Sequence, residues 1–592
     1  MGGAWLASTS AAGAATLSFA PCHNSTGVLC SSVTVPLDWS GVAPGSLQLA
    51  VEELPAKGTP RGVMMLIAGG PGQASALAFD LSSLGSVWQT IFPGYTLVAF
   101  DPRGTGGSGF LDCALATPVP QQVTACGQSL GPARAFYTTA ANAEDVDAVR
   151  QALGVDKVGL WGTSYGTKVE LAYALAHGDH VERMLLDSVV TPTGPDPLAL
   201  DTLKSIPLGL SAMCGTGACR KIDSNLAAEV AALANRAAVT PIAGRVRTAS
   251  GRSKLVSLDG TTMLEVVVSA DLSPGLQAEL PSVVSAATAG RPQALLRLAA
   301  LAQGGFRLHF ATADASFSEG LFLATMCNDG RFPWRPDTDL RTRQQALSAA
   351  VATLPPGSTG PFGSWATAIG PATYCVSWPS PAGNAPIAAG PLPNVPVLAL
   401  SGTYDMRTPT SNAAAVVSLF PQGHLLVVPG VGHSVLTTDP SECTANAVRS
   451  WLNGQPAPAR CSATRPYIAN VQRIPLSVGS APLVSGTSGL RGHTLSAVET
   501  TVQDAFAAEV TAGAAVGGLS AGAVSGSLGT LTLSGYGDVP GVTVSGDLSL
   551  KSPKKGAVLV PTGTVTVAGA KAAHGKVTFM TAGVKALWAR AR

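Results

Sequence analysis

The chain has 592 residues, of which 46% are hydrophobic and 12% are charged, and its formal net charge is +2. A chain of this length exceeds what one hydrophobic core supports, so we expect two or three domains. The near-neutral charge favours neither a nucleic-acid surface nor an acidic tail. The sequence has no uninterrupted apolar run of about 18 residues, so we predict no membrane-spanning helix.

The amino-terminal residues 1–20 are rich in Ala, Gly and Ser but contain no Lys or Arg. They therefore lack the basic segment that opens a secretory signal peptide. We interpret them as a signal remnant or a disordered lead, so the cellular compartment has to be inferred from the cysteines.

Ten cysteines lie along the chain as sequence neighbours. An even count with mostly short spacings predicts disulfides and an oxidising compartment, so we expect a secreted or envelope-associated protein. No Cys-x-x-Cys motif or histidine cluster accompanies them, and we predict no metal site. Proximity alone gives five pairs, namely Cys22–Cys30, Cys113–Cys126, Cys214–Cys219, Cys327–Cys375 and Cys443–Cys461.

A β-rich lead-in, residues 22–60, precedes the first apolar run, Val63–Ile67, which predicts a buried strand. That strand ends in the turn Gly69-Gly70-Pro71-Gly72. Glycines let the backbone approach a bound molecule closely and present an N–H group to it. The turn is therefore a candidate for contact with a substrate.

The next predicted strand, Tyr95–Phe100, leads into a glycine-rich stretch that begins at Asp101. A phosphate-binding loop needs a Gly-Lys-Ser/Thr sequence, and no lysine is present here. We interpret Asp101 and Arg103 as a structural ion pair. An amphipathic helix is predicted from Thr139 to Leu153, with Asn142 as its N-cap.

The stretch Gly162-Thr163-Ser164-Tyr165-Gly166 follows a short apolar strand and precedes a helical pattern. Strand, Gly-x-Ser-x-Gly and helix together form the nucleophile elbow of an α/β-hydrolase. The glycines are needed because a Cβ at either position would crowd the neighbouring strand and helix. Ser164 is the predicted nucleophile.

An elbow of this kind needs two backbone donors for the oxyanion that forms during acyl transfer. The N–H of Tyr165 lies at a helix start, where such a donor is available. A second donor is expected from a turn well upstream of the serine. We assign it to Gly70.

Another strand, Met184–Leu186, ends at Asp187, which is one candidate for the acid of a catalytic triad. From residue 191 to 395 the chain becomes Ala/Leu-rich and helical in period. An insertion of this size between two strands of a sheet predicts a helical cap over the site. The hydrolase core would then comprise residues 21–190 and 396–465.

The sheet resumes at Val397–Leu400, and Asp405 follows in the next loop. The last strand, Leu425–Val428, is followed by His433. The order Ser, Asp, His after successive strands is that of the α/β-hydrolases, so Asp405 is the preferred acid and His433 the base. His424 precedes the strand and is expected at the surface.

Past the last cysteine, residues 466–592 are rich in Gly, Val, Thr and Ser, and the stretches 529–534, 542–550 and 563–567 alternate apolar and polar side chains. This pattern predicts an all-β accessory domain, with a small sandwich as the expected form. The segment contains no catalytic constellation. Contact with the cell envelope or a polymer is one hypothesis for its role.

The motifs together resemble the prolyl/tripeptidyl aminopeptidase branch of the α/β-hydrolases, and more closely the secreted actinobacterial tripeptidyl-aminopeptidase-like group. The likeness covers residues 20–465. Prolyl aminopeptidases usually carry histidine where this chain has Ala68, which argues against that narrower activity. The motifs are Cys22…Cys30, Val35-Pro36-Leu37-Asp38-Trp39, Gly69-Gly70-Pro71-Gly72, Asp101-Pro102-Arg103-Gly104-Thr105-Gly106, Gly162-Thr163-Ser164-Tyr165-Gly166, Cys327-Asn328-Asp329, Gly402-x-x-Asp405-x-x-Thr408-Pro409 and Gly432-His433.

The resemblance implies a secreted serine hydrolase that releases short N-terminal peptides or residues without a cofactor. Such an enzyme must neutralise the substrate's α-ammonium group, and Glu319 and Asp329 are the candidate anchors, although both could be ordinary surface or helix-capping carboxylates. A triad serves esters as well as amides, so a carboxylesterase for apolar acyl esters is the alternative. A third possibility is an inactive hydrolase fold that binds envelope material.

Overall fold

The computed structural model describes most of the chain. Of the predicted lead at residues 1–20, positions 1–16 lie outside the described residues. The described ranges are 17–22, 27–113, 119–215, 217–223, 225–311, 316–379, 390–462, 468–527, 529–551, 559–581 and 583–588.

The chain first forms an antiparallel lead-in and then alternates strands with helices. Short 3-10 helices at Gly131–Phe136 and Gly178–His180 complete this segment. Its elements are β1 (Ala20–Pro21), β2 (Leu29–Pro36), β3 (Ser46–Leu54), β4 (Gly62–Ile67), α1 (Ser75–Phe79), α2 (Leu81–Ile91), β5 (Tyr95–Phe100), α3 (Pro120–Ser129), α4 (Thr139–Ala152), β6 (Val158–Thr163), α5 (Tyr165–Ala176) and β7 (Val181–Asp187).

The following segment is mostly helical and adds a β-hairpin that the sequence analysis did not predict. A 3-10 helix spans Ser364–Ile369. The elements are α6 (Leu200–Cys214), α7 (Leu226–Val239), β8 (Ile242–Arg247), β9 (Ser253–Leu258), α8 (Gly260–Ser269), α9 (Pro274–Thr288), α10 (Gln293–Ala311), α11 (Glu319–Asp329), α12 (Leu340–Ala352) and α13 (Ala372–Cys375). We call this segment the cap.

The chain then returns to the first sheet. The returning elements are β10 (Val397–Gly402), α14 (Thr410–Val417), β11 (Gly423–Val428), α15 (Val435–Thr438) and α16 (Cys443–Leu452). The sheet order is β1-β2-β3-β5-β4-β6-β7-β10-β11. Strands β5 to β11 in this order pair in parallel, whereas β3 pairs antiparallel with β5. The predicted α/β-hydrolase architecture is confirmed.

Buried apolar side chains cover both faces of this sheet. Trp161 of β6 is fully buried and contacts the rings of Phe79, Trp88 and Phe92, at centroid distances of 4.8, 5.1 and 5.1 Å. On the opposite face, residues of α4 and α5 pack against β4 and β6. Because the carboxyl ends of parallel strands meet at one edge, the loops after β4, β6, β10 and β11 converge there.

The predicted cysteine pairs are all disulfide-bonded, namely Cys22–Cys30, Cys113–Cys126, Cys214–Cys219, Cys327–Cys375 and Cys443–Cys461. Three of these bridges lie within single segments of the core, and two stiffen the cap. In the part of the chain that the structure describes, no helix is both long and apolar enough to cross a membrane.

The carboxyl-terminal segment combines one antiparallel sheet with a long helix. Strand alternation predicted the sheet, which is confirmed, but the predicted sandwich is wrong. One face of the sheet is covered by the helix, and no second sheet packs there within the described residues. The elements are a 3-10 helix (Val478–Ser480), α17 (Gly489–Ala512), β12 (Val516–Gly517), β13 (Ala521–Ser527), β14 (Thr530–Gly537), β15 (Thr543–Lys551), β16 (Val560–Ala568), β17 (Gly575–Met580) and β18 (Gly583–Trp588).

A buried cluster of charges joins this segment to the cap, and we call it the Arg297 centre. The guanidinium of Arg297 in α10 donates to Glu279 at 3.0 Å, Asp504 at 2.5 Å and Asp538 at 3.2 Å. It also donates to the hydroxyl of Tyr536 at 3.0 Å, and that hydroxyl donates to Asp504 at 2.7 Å. These side chains are almost completely inaccessible to solvent. The carboxyl-terminal segment is therefore anchored in the cap by polar contacts as well as apolar packing.

Three carboxyl groups around one guanidinium cannot all be ionised at low cost. Burial raises the pKa of Glu279 to about 8, against the opposing charge of Arg297. Burial and the charge of Asp504 raise the pKa of Asp538 as well. Burial opposes ionisation of Asp504, but the charge of Arg297 and the hydrogen bonds from Arg297, Asp538 and Tyr536 together outweigh it and lower its pKa.

The pKa of Glu279 leads to a pH-dependent stability. Its pKa rises from 4.5 in the unfolded chain to about 8 in the folded one. Between these values the folded chain holds the proton more tightly, so the free energy of unfolding falls as pH rises. Replacement by a neutral isostere removes this loss. We expect Glu279→Gln to unfold a few degrees higher than wild type at pH 8 and to lose this advantage at pH 5.

Calorimetric melting curves between pH 5 and 8.5 would measure the effect. Asp179→Asn, which changes an exposed carboxylate, is the matched control and should melt like wild type throughout. A Glu279→Gln variant that is less stable than wild type by the same amount at every pH would contradict the assigned protonation.

Candidate active site

The turn between β6 and α5 holds Ser164 in a strained backbone conformation, with φ of 58° and ψ of −122°. Such a conformation is costly for a residue with a Cβ and persists only where neighbours hold it. The N–H of Ser164 donates to the carbonyl of Asp187 at 2.8 Å, and its carbonyl accepts from the N–H of Thr167 at 2.9 Å. The side chain of Thr167 donates to the same carbonyl at 2.6 Å.

The glycines of this turn are required by close backbone contacts. A Cβ on Gly162 would lie 2.5 Å from the carbonyl carbon of Gly166, and a Cβ on Gly166 would lie 2.2 Å from the carbonyl oxygen of Ile67. A Cβ on Gly69 would lie 2.9 Å from the Cβ of Ser164, so the turn after β4 contacts the serine directly. No other residue fits at these positions without moving the backbone.

His433 and Asp405 are brought together by the loops after β11 and β10. The Nδ1 of His433 lies 3.0 Å from Oδ2 of Asp405, and both side chains are buried. Asp405 also accepts from the N–H of Thr408 at 2.8 Å and from its hydroxyl at 2.6 Å. Burial opposes ionisation of Asp405, but the charge of His433 and these hydrogen bonds outweigh it and lower its pKa.

Asp187 and His424, the alternative triad members, lie elsewhere. The carboxylate of Asp187 accepts from the N–H groups of Val435 at 2.7 Å and Leu436 at 2.9 Å, at the start of α15. Burial raises the pKa of Asp187 to about 6 against these hydrogen bonds. The Nε2 of His424 contacts the carbonyl of Pro458 near the surface. Asp187 thus fixes the loop that follows His433 without contacting the Nδ1 of that histidine.

The two predicted oxyanion donors are the N–H of Tyr165, which follows Ser164, and the N–H of Gly70, which follows the glycine in contact with Ser164. Among the described residues, neither the N–H of Gly70 nor that of Tyr165 has a hydrogen-bond partner, and the hydroxyl of Ser164 has none either. Gly70 has a φ of 109°, a conformation that favours glycine. The turn after β4 is held from the cap, where the N–H of Ser318 donates to the carbonyl of Gly72 at 2.8 Å.

The predicted ion pair between Asp101 and Arg103 is wrong. Arg103 points towards α4 and makes a bidentate pair with Asp145, at 2.6 and 2.7 Å. Asp101 instead accepts from the N–H groups of Ala76 at 3.0 Å and Gly107 at 2.9 Å. Each charge has its own partner, and together they fix the loops below the site.

The predicted N-cap at Asn142 is also wrong, because Thr138 caps α4 by accepting from the N–H of Ala141 at 3.2 Å. The amide of Asn142 instead donates to the hydroxyl of Tyr165 at 3.3 Å. Thr139 is 2.9 Å from the same hydroxyl. The first turn of α4 therefore holds the side chain that follows Ser164.

The candidate anchors, Glu319 and Asp329, lie at opposite ends of α11 and are both buried. Asp329 accepts from the N–H of Thr139 at 2.9 Å and from its hydroxyl. The ammonium of Lys168 lies 3.9 Å from the same carboxylate. Asp329, Lys168 and Tyr165 line a cavity of about 10 Å³. Glu319 is adjacent to Ser318, which contacts the turn after β4.

The sequence analysis did not identify Lys168, and it named Thr408 only as part of a motif, without a role. Lys168 lies four residues after Ser164 on α5, so the helical spacing alone could have indicated it. Burial lowers its pKa, and the charge of Asp329 opposes that shift. The hydroxyl of Thr408 lies 3.1 Å from Nδ1 of His433 and so contacts both members of the pair.

In the described part of the chain, the residues with metal-ligand spacing are Cys22, Cys30 and Glu52. The two sulfurs are joined in a disulfide and cannot act as thiolate ligands. This cluster therefore has no donor set for a metal.

Comparisons with known proteins find similarity to hydrolases. The sequence profile of the alpha/beta hydrolase fold matches residues 62–213, and that of the TAP-like proteins matches residues 361–463. The chain is 33% identical over 194 residues to the tripeptidyl aminopeptidase of Streptomyces coelicolor, covering 28% of this chain and 36% of that enzyme. The chain thus matches about a third of the length of that relative.

Longer matches extend over most of the chain at lower identity. Serine protease Hip1 of Mycobacterium tuberculosis is 26% identical and covers 74% of this chain and 90% of that protein. Carboxylesterase B of the same organism is 28% identical, over 73% of this chain and 86% of that protein. Among solved structures, the proline iminopeptidase of Mycobacterium smegmatis aligns at 14% identity with a TM-score of 0.32, over 72% of this chain and 98% of that one.

The contact between Gly166 and Ile67 predicts that even alanine is not tolerated in the elbow. We expect Gly166→Ala to lower the melting temperature by several degrees or to prevent soluble expression, because a Cβ would overlap a carbonyl oxygen. Gly479→Ala is the matched control, since no atom lies within 4 Å of its added Cβ. Equal melting temperatures for the two variants would contradict the described packing.

Proposed function

The chain is an α/β-hydrolase of the TAP-like group, and from this premise we propose that it is a serine hydrolase that acts as an aminopeptidase. Its substrates would be peptides from which it releases short amino-terminal peptides or residues. The observation that carries the proposal is the His433–Asp405 pair, at 3.0 Å, in the loops that converge on the strained Ser164. The five disulfides support a location outside the cytoplasm, secreted or at the cell envelope.

The proposed mechanism is acyl transfer in two steps. His433 takes the proton of Ser164 through Nε2, and the serine oxygen attacks the substrate carbonyl. The carboxylate of Asp405 accepts a hydrogen bond from the Nδ1–H of His433 and so stabilises the imidazolium. His433 then protonates the leaving amine as the C–N bond breaks, which leaves the acyl group on Ser164. In the second step His433 takes a proton from water, the water oxygen attacks the acyl carbonyl, and His433 returns the proton to Ser164 as the ester bond breaks.

The N–H groups of Gly70 and Tyr165 are the proposed donors to the oxyanion. Both are free of protein acceptors among the described residues. Tyr165 follows Ser164 in the chain, and Gly70 follows Gly69, on which a Cβ would lie 2.9 Å from the Cβ of Ser164. Donors that are already oriented require no reorganisation when the negative charge develops. Loss of one such donor typically costs about 3 kcal/mol of transition-state stabilisation.

The proposal of peptidase activity is supported by the relatives named tripeptidyl aminopeptidase and serine protease. The α-ammonium group of a peptide needs a negative partner, and we propose that α11 supplies it through Glu319 and Asp329. Asp329 shares a cavity with Tyr165, the residue after the nucleophile. Glu319 is adjacent to Ser318, which binds the turn that contains Gly70 and Gly72.

A carboxylesterase is the second candidate, and one specific contact favours it. Lys168 lies 3.9 Å from Asp329, so part of the negative charge of this carboxylate is already neutralised. A weakened anchor would suit uncharged acyl esters. A relative over 73% of the chain is named carboxylesterase B. An inactive fold that binds envelope material or a polymer through the carboxyl-terminal sheet is the remaining hypothesis.

Substrate pairs separate these candidates. We expect wild type to hydrolyse chromogenic amides of free di- and tripeptides and to lose most of this activity on their N-acetylated forms. Ser164→Ala should reduce kcat by about 10⁴-fold or more, because it removes the nucleophile. Turnover of a short-chain aryl ester alone would assign a carboxylesterase, and activity that survives Ser164→Ala would exclude this serine.

Thr408 provides a more graded test of the His433–Asp405 pair. We expect Thr408→Val to lower kcat about tenfold with little change in KM, since a hydrogen bond to a charged group contributes about 1.5 kcal/mol. Thr408→Ser, which keeps the hydroxyl, should retain most of the activity. Steady-state kinetics of both variants would measure these changes in kcat. An equal loss of kcat in the two variants would contradict a role for the hydroxyl.

A further inference from the structure

Asp271 belongs to the cap but contacts the loop of His433. It lies between α8 and α9 and is buried. Its carbonyl oxygen accepts from the N–H of His433 at 2.8 Å. A Cβ on Gly432 would lie 2.0 Å from that oxygen, so the two backbones are in direct contact. The cap therefore fixes the backbone of the histidine that pairs with Asp405.

The carboxylate of Asp271 contacts the other loop of the site. It accepts from the N–H groups of Met406 and Arg407, each at 3.2 Å. The guanidinium of Arg407 donates to it through Nε at 3.0 Å and through a terminal nitrogen at 2.8 Å. Both amides follow Asp405 directly in the chain. One residue of the cap thus binds the loops of both Asp405 and His433.

Asp271 and Arg407 carry opposite charges beside the His433–Asp405 pair. The titratable and charged groups that act on Asp271 are Arg407, Asp405 and His433, and Asp187 interacts with His433 from β7. Burial raises the pKa of Asp271, while the charge of Arg407 lowers it. The Asp271 side chain is completely inaccessible, whereas that of Arg407 is 30% exposed. Removing either partner leaves one uncompensated charge beside the His433–Asp405 pair.

The position of Asp271 is also restrained by the helix that follows it, α9. Helix α9 begins three residues later at Pro274 and packs tightly on α17 of the carboxyl-terminal segment. A Cβ on Gly275 would lie 2.5 Å from the carbonyl oxygen of Ala507. Farther along α9, Glu279 enters the Arg297 centre. The position of Asp271 is therefore fixed on both sides.

We propose that Asp271 is a positioning residue for hydrolysis, and that its pair with Arg407 sets the net charge beside His433. This proposal rests on the proposed function of Ser164, His433 and Asp405. The cap would then take part in catalysis by holding the acid and base loops, in addition to covering the substrate. A purely structural contact would hold the loops but would leave the pH dependence of the reaction unchanged.

The pH profile of kcat/KM tests the proposal. In Asp271→Asn the charge of Arg407 is unbalanced and disfavours the imidazolium, so the acid-side limit of activity should move down by about 0.5–1 pH unit. In Arg407→Gln the charge of Asp271 is unbalanced, and the limit should move up by a similar amount. The double variant should return the limit to near its wild-type position, although its kcat is expected to be lower.

Asp259→Asn is the matched control, because Asp259 is an exposed carboxylate at the far end of α8 and caps that helix at Thr262. Its pH profile should equal that of wild type. If Asp271→Asn does not fold, Arg407→Gln still tests the proposal, since its side chain is partly exposed. Unmoved acid limits in an active Arg407→Gln variant would overturn the electrostatic role.

The activity of the wild-type protein distinguishes a failure of the proposed function from a failure of the positioning role of Asp271. A wild-type protein that hydrolyses none of the peptide or ester substrates would contradict the function itself. Hydrogen exchange would then decide the positioning role, because Asp271→Ala should speed exchange at least tenfold in the peptide that contains residues 403–409. Unchanged exchange there, relative to Asp259→Asn, would overturn the positioning role as well.

Discussion

The conformation of Ser164 is the constraint on which the candidate site depends. A φ of 58° at a residue with a side chain is maintained only because the carbonyl of Asp187 and the residues of the first turn of α5 bind its backbone. The same turn brings Gly166 against the carbonyl of Ile67 and so fixes the spacing between β4 and α5. The hydroxyl, the N–H of Tyr165 and the turn at Gly70 are consequently placed by one set of backbone contacts.

Buried charges join the segments of this sparsely charged chain. Arg103 binds Asp145 below the site, Arg407 binds Asp271 between the cap and the core, and Arg297 binds carboxylates from the cap and the carboxyl-terminal segment. A buried ion pair adds little net stability but is costly to break, because one charge is then left without a partner. These contacts therefore specify how the segments fit together more than they add to the free energy of folding.

Sequence reasoning worked where the signal is local. The elbow motif and the strand-end positions of Asp405 and His433 each depend on residues close together in the chain. Four of the five cysteine pairs are also local, with separations of 5 to 18 residues, whereas Cys327 and Cys375, 48 positions apart, were paired because no other cysteine lies between them. The partner of Arg103 lies 42 positions away and that of Arg407 lies 136 positions away, so no local pattern could identify them. Alternation within residues 466–592 predicted a β domain, expected as a sandwich, but it could not indicate that α17 covers one face of a single sheet. Helix α17 buries polar residues such as Thr501 and Asp504, which obscured its pattern.

Covalent labelling tests most directly whether Ser164 is the nucleophile of an acyl transfer. The folded protein would be treated with a fluorophosphonate, digested and examined by mass spectrometry, with denatured protein and a His433→Ala variant as controls. The proposed mechanism predicts one adduct, on the peptide that contains Ser164, with little or none in the two controls. An adduct on another residue, or equal labelling of folded and denatured protein, would contradict it.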